Sequence, residues 1–287
     1  MGSTVRTPAE PTLRAQLSAE FAGTAILILF GCGVDASVTA AGRGDADSVS
    51  WGWGLGVVLG IYTAGRLTGA HLNPAVTLAL ATFRGFAWSK VGPYALAQLA
   101  GAFAGAVVVR YTYGDLIRGA DPGLGKATLG IFATSPGVTA TGSPVGVGTA
   151  FADQVVGTAI LVFLVLALTS ARNTPPLANL TPWFVGMVVV GLGMAWGANA
   201  GYAINPARDL GPRLAAFVTG YGTDAWRSTS SDVLYFWVPL VAPLLGALVG
   251  GALFSLLIER HLPEEPVDDA PDARGERGVA QQPAAVR

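Results

Sequence analysis

The sequence predicts an all-α membrane protein, built from six transmembrane helices and two re-entrant half-helices in an inverted repeat. Three observations carry that prediction. The triplet Asn-Pro-Ala occurs twice, as Asn73-Pro74-Ala75 and Asn205-Pro206-Ala207, each time inside a long apolar stretch. Asn is a strong helix N-cap and Pro is favoured at the first helical position, so each triplet reads as a helix start where a plain span would have none. The string Gly23-Thr24-Ala25-Ile26-Leu27 recurs 134 residues later as Gly157-Thr158-Ala159-Ile160-Leu161, nearly the 132-residue separation of the two triplets. Of 287 residues, 52% are hydrophobic and 12% charged, with mean hydropathy +0.52. A soluble domain carries roughly 25% charged residues, so lipid is the main solvent of this chain.

Six segments qualify as spans by length and lack of charge: about Leu17–Thr39, Val49–Gly65, Val91–Val109, Val155–Ala171, Leu180–Gly197 and Val233–Ile258. Two shorter apolar runs, about Pro74–Phe83 and Pro206–Val218, follow the triplets. Ten to thirteen helical residues cover roughly 15–20 Å, half of a ~30 Å hydrocarbon core. Each half of the chain therefore holds three spans and one half-helix, and an odd number of spans inserts the second half with opposite sense. The small residues Gly101, Ala102, Gly105 and Ala106 in the third span fit close helix packing. The expected organisation is a flexible N-terminus (residues 1–12), a channel domain (13–261) and a disordered tail (262–287), the last rich in Pro, Ala and charge. Within the domain the halves run about 13–113 and 149–261, joined by a linker loop, 114–148.

The balance of basic residues sets orientation. Arg6, Arg14, Arg84, Lys90, Arg172, Arg260 and His261 fall on one side of the six-span arrangement, against Arg43, Arg118, Lys126 and Arg227 on the other. Both termini are accordingly expected in the cytoplasm. A net charge of −1 gives no case for nucleic acid. The single cysteine, Cys32, excludes an intramolecular disulfide and reads as a small apolar residue. Two histidines and one cysteine leave no metal set and no cofactor to expect, and no paired carboxylates inside the spans point to an enzyme.

In an inverted repeat the half-helices meet N-terminus to N-terminus near the midplane. Asn73 and Asn205 then cap their helices and turn amide donors toward the lumen. Each helix N-terminus adds about half a positive charge there. A hydroxyl or water oxygen is accepted at such a point, whereas a cation meets positive potential without a compensating anion. Glu20, in the first span, is costly in lipid and so faces the bundle; its repeat counterpart is Gln154, and both read as hydrogen-bonding braces for the half-helix loops. His71 reads as a brace of the backbone beside the first half-helix. Beyond Glu20, no acidic residue is expected in mid-span.

The strings Thr68-Gly69-Ala70-His71-Leu72-Asn73-Pro74-Ala75-Val76-Thr77 and Asn205-Pro206-Ala207-Arg208-Asp209 resemble the major intrinsic protein family of aquaporins and glycerol facilitators, over about residues 15–260. The resemblance implies an aquaporin-like bundle of six tilted helices with two half-helices, one pore per subunit and a homotetramer. Glycerol facilitators of the family carry Asp directly after Asn-Pro-Ala-Arg, matched by Asp209, and a basic residue four positions on, matched by Arg213. Pro239-Leu240 in the last span and the aromatic Tyr113 are further marks of that branch.

By the same resemblance the selectivity filter comprises Trp53, twenty residues before Asn73, Gly193, twelve before Asn205, and Tyr202 and Arg208 beside the second triplet. Water-selective relatives put His where Gly193 stands, so Gly193 is expected to leave room for a carbon chain. Trp53 and Tyr202 would form an apolar wedge, and Arg208 would donate to successive hydroxyls and repel cations. Tyr202 stands where Phe is common, which adds a hydroxyl near the constriction. The expected activity is passive passage of glycerol and similar small neutral solutes, with water, through the plasma membrane. The rivals are a mainly water-selective channel, opposed by Gly193 and Asp209, and a secondary active transporter, which needs coupling groups at the midplane.

Overall fold

The computed structural model describes residues 10–264 and is helical throughout, with only two isolated β-bridges among those residues. The helices are α1 (Leu13–Ala41), α2 (Ala46–Thr68), α3 (Pro74–Phe83), α4 (Trp88–Thr112), α5 (Gly114–Ala120), α6 (Lys126–Leu129), α7 (Val147–Thr169), α8 (Thr181–Ala200), α9 (Pro206–Ala216) and α10 (Val238–Leu257). Five of them, α1, α4, α7, α8 and α10, are long and apolar enough to cross a membrane. The sixth span, α2, has 23 residues and packs between α1 and α8. Its glycines, serines and Asp47 lower its hydropathy without shortening it.

The two halves pack alike. In the first, α1 lies against α2 and α4; in the second, α7 lies against α8 and α10. Each half-helix crosses over, α3 packing on α10 and α9 on α4, while α2 and α8 join the halves. Small residues permit these approaches. A Cβ on Gly101 or Gly105 of α4 would strike the carbonyls of Phe21 and Ala25 of α1. One on Gly246 or Gly250 of α10 would strike those of Val155 and Ala159 of α7, the repeat equivalents.

Three boundaries differ from the sequence reading. Helix α7 begins at Val147, well before Val155, because its polar residues Asp153 and Gln154 are buried inside the bundle rather than marking a loop. Helix α10 begins at Val238, since Tyr235 N–H donates to the Trp226 carbonyl at 3.0 Å and holds the preceding segment in a turn. The linker is not all loop: it carries α5 and α6, and its Thr134 reaches the half-helix α9. The expected tail beyond residue 264, and residues 1–9 of the expected flexible N-terminus, lie outside the described residues.

Candidate functional site

The half-helices meet head to head. Asn73 caps α3, its Oδ1 accepting from Ala75 N–H at 2.8 Å, and Asn205 caps α9, accepting from Ala207 N–H at 3.0 Å and Arg208 N–H at 3.1 Å. Each Asn also crosses to the other half. Asn73 Nδ2 donates to the Ile204 carbonyl at 2.9 Å and Asn205 Nδ2 to the Leu72 carbonyl at 2.8 Å. One hydrogen of each amide is thus spent on clamping the loops together, leaving one for a solute. Pro74 and Pro206 open the half-helices, where their missing N–H removes no intrahelical bond, and Ala75 and Ala207 are buried behind them.

The loops before the half-helices are strained in the same pattern. Gly69, Ala70 and Leu72 have φ of 77, 55 and 52°, and Gly201, Tyr202 and Ile204 have φ of 70, 34 and 44°. Left-handed backbone at non-glycine residues costs of order 1–3 kcal/mol each and persists where the surroundings over-determine it. Here it bares acceptors: the carbonyls of Gly69, Ala70, His71, Gly201, Tyr202 and Ala203 accept no hydrogen bond among the described residues. These residues, Gly201 excepted, line a cavity of about 290 Å³. Its lining also includes the apolar side chains of Leu27, Val57, Ile61, Leu161, Val185 and Val189.

Buried polar residues hold the strain. Glu20 accepts four hydrogen bonds: Thr68 Oγ1 (2.6 Å) and His71 N–H (2.9 Å) at Oε1, and Leu72 N–H and Gln98 Nε2, both 2.8 Å, at Oε2. In the second half, Gln154 Oε1 accepts from Ile204 N–H and its Nε2 donates to the Ala200 carbonyl, both at 3.0 Å. His71 Nδ1 lies 3.1 Å from Thr77 Oγ1, and its ring packs on Phe86 and Tyr94.

Trp53, Tyr202 and Arg208 also line the cavity. The Arg208 guanidinium lies over the Trp53 ring, Cζ 3.6 Å from its centroid, a close cation–π stack. None of its side-chain N–H groups finds a protein acceptor among the described residues. Gly193 does not itself line the cavity; it acts through its neighbour Tyr202. A Cβ there would lie 2.6 Å from Ser50 Oγ and 2.9 Å from Tyr202 Cζ, so the missing side chain makes room for the tyrosine ring. The Tyr202 ring packs beside the Ser50 side chain, and its hydroxyl is buried.

Asp209 faces away from the cavity. Its Oδ2 accepts from Thr134 N–H (2.8 Å) and Oγ1 (2.5 Å), and its Oδ1 pairs with Arg213. Arg213, fully buried, also donates to the Thr134 and Ala225 carbonyls, so the pair ties α9 to the linker and to the segment after it. Tyr113 Oη, 3.1 Å from Ser37 Oγ, ties the end of α4 to α1, and Pro239 and Leu240 sit in the first turn of α10. None of these five residues, Tyr113, Asp209, Arg213, Pro239 and Leu240, lines the cavity. Sequence reasoning missed Ser50, Thr134, Gln98 and above all Asp35, which lies inside the expected span Leu17–Thr39 and accepts from Trp53 Nε1 at 3.2 Å. An acid within an apolar span was the available signal.

The chain matches the family model described as "Major intrinsic protein" over residues 9–254. It is 39% identical to a glycerol uptake facilitator protein of Pseudomonas aeruginosa (88% of this chain, 92% of the relative), and 39% identical to a propanediol uptake facilitator of Citrobacter freundii (88% and 95%). Aquaporin-10 of Homo sapiens is 36% identical over 96% of this chain and 92% of its own. Among solved structures, the aquaglyceroporin from Plasmodium falciparum superposes with a TM-score of 0.77 at 32% identity, covering 86% of this chain and 97% of that one. A multi-pass bundle with paired half-helices, matched in sequence along nearly all of the described residues, leaves one assignment: the chain belongs to the major intrinsic protein family.

Proposed function

We propose that the chain forms a passive channel for glycerol and similar small neutral solutes, passing water and excluding ions and protons. The observation that carries the reading is a cavity lined by both polar groups and aliphatic side chains. Its lining offers uncommitted Arg208 donors and a row of unpaired carbonyls together with aliphatic side chains. A linear polyol presents hydroxyls along one edge and C–H groups along the other, and fits both at once. A cation would leave its hydration shell facing the positive ends of α3 and α9 and the Arg208 guanidinium, with only weak acceptors in return. The relatives named for glycerol and propanediol uptake support a polyol substrate. Asn73, Pro74, Ala75, Asn205, Pro206 and Ala207 form the midplane in this reading, and Trp53, Gly193, Tyr202 and Arg208 the filter. Residues 13–261 form the channel domain, in a homotetramer in the plasma membrane with both termini cytoplasmic. The orientation is supported by the basic residues that gather at one face, where Arg84 pairs with Glu259 and Arg172 binds the Leu262 and Pro263 carbonyls.

The test is light scattering on proteoliposomes given an inward glycerol gradient and, separately, an impermeant osmolyte. Rapid reswelling in glycerol, absent from empty vesicles, is expected. Fast osmotic shrinkage with no glycerol reswelling would make the protein a water channel.

A further inference from the structure

The filter has a support that lies outside it, on α1. Trp53 is 2% exposed, and its indole rests on the α1 backbone at Gly31, where a Cβ would run into its Cε3, Cζ3 and Cη2 atoms. One helical turn later, Asp35 Oδ2 accepts the indole N–H at 3.2 Å. Among the described residues Asp35 receives no other hydrogen bond, and Trp53 Nε1 has no other acceptor. The ring is therefore seated at its six-membered edge by an absent side chain and pinned at its nitrogen by a carboxylate. The opposite demand on the ring comes from Arg208, stacked on its face.

These contacts reinforce one another. A ring free to rotate about its side-chain torsions would present its edge to the guanidinium, and a cation is held by the face of an aromatic ring rather than its edge. An oxygen accepting the indole N–H polarises the ring and strengthens that hold, as hydrogen-bonded groups polarise one another. An acid in an apolar span is expensive unless it has a partner. Here the partner is a neutral N–H belonging to a residue that lines the cavity, which makes Asp35 part of the filter's support rather than of the helix packing.

We propose that Asp35 is a positioning residue of the selectivity filter: it fixes the plane of Trp53, and through that ring the place of the Arg208 guanidinium, so that the apolar and polar sides of the filter keep the spacing of a polyol. The proposal rests on the pore reading above and assigns to Asp35 no contact with solute.

The test compares Asp35→Asn with Asp35→Val in proteoliposomes, reading glycerol flux and osmotic water permeability in the same vesicles. The valine removes the acceptor. The asparagine keeps an oxygen that can accept the indole N–H, and so serves as the conservative rescue. Asp35→Val is expected to shift the glycerol-to-water ratio by about threefold or more, the effect of losing one buried hydrogen bond, with Asp35→Asn within about twofold of the parent. An unchanged ratio in Asp35→Val, or an equal shift in Asp35→Asn, would overturn the proposal. Should Asp35→Val not assemble, Trp53→Phe deletes the donor instead and keeps a ring; an unshifted ratio there overturns the proposal equally. Absence of glycerol flux in the parent would sink the polyol reading alone. Asp35 is then judged on water permeability, which Asp35→Val alters and Asp35→Asn does not.

Discussion

Gly193→Ala puts a single methyl group where the packing between Ser50 and Tyr202 leaves no room for it. The new Cβ would lie 2.6 and 2.9 Å from Ser50 Oγ and Cβ and 2.9 Å from Tyr202 Cζ, inside the range that real contacts avoid. Ser50 is held by its bond to the Ala46 carbonyl at 3.0 Å. The tyrosine ring is held from behind by Gly197 as well, where a Cβ would come within 3.1 Å of Cδ1. With α8 at its back, the ring yields toward the cavity it lines. Overpacking of this kind costs about 1–3 kcal/mol. Expressed as a barrier to solute, that range is roughly fivefold to a hundredfold in rate. The assay is stopped-flow light scattering for glycerol and water, with thermal unfolding in detergent beside it. Glycerol flux is expected to fall at least about fivefold, and water flux less, because water needs a narrower opening. Tyr202→Leu in the same chain removes the colliding ring and should recover stability, a coupling of about 0.5–3 kcal/mol between the two sites. Parental glycerol flux together with parental thermal stability in Gly193→Ala would refute the packing argument.

Three further changes probe the frame. Glu20→Gln puts an amide N–H2 among four donors, so one loop N–H loses its acceptor; a loss of about 1–3 kcal/mol should appear as a lowered unfolding temperature, while Gln154→Glu should fail for the converse reason, facing the Ala200 carbonyl with no hydrogen to give. Asp209→Asn leaves Arg213 as an uncompensated buried charge, a cost of about 3–5 kcal/mol, and should abolish assembly or sharply lower the yield of folded protein on gel filtration. Tyr202→Phe removes a buried hydroxyl beside Ser50 and keeps the ring, so the unfolding temperature should change by no more than the equivalent of about 1 kcal/mol, with the glycerol-to-water ratio retained.

What was legible in the sequence was local or repeated. Asn and Pro at a helix start carry their own meaning, so the half-helix α3 is found with the limits expected of it, Pro74–Phe83. The matching offsets of the two triplets and of Gly23 and Gly157 anticipate the repeat that the packing displays. What was hidden depends on contacts between distant segments, or on backbone shapes that the residue types do not announce. Ala70, Leu72, Tyr202 and Ile204 adopt positive φ although none is glycine, and it is this turn of the chain that lays the Tyr202 ring against Gly193. Spacing alone names both residues without saying that one fills the other's space. Asp35 is visible as an acid in an apolar run, but its partner stands 18 residues away on another helix. The early start of α7 was masked because Asp153 and Gln154 look like loop until the bundle supplies Asn199, Ala200 and Ile204 to bond them.

A channel and a coupled transporter of the same fold part company over whether charge moves with the solute. The most direct measurement follows glycerol entry and internal pH together, in proteoliposomes clamped with potassium and valinomycin. The account predicts rapid glycerol entry at a rate independent of the imposed potential, with internal pH drifting no faster than in empty vesicles. Proton movement in fixed proportion to glycerol, or glycerol entry that stops when the ion gradient is collapsed, would contradict it.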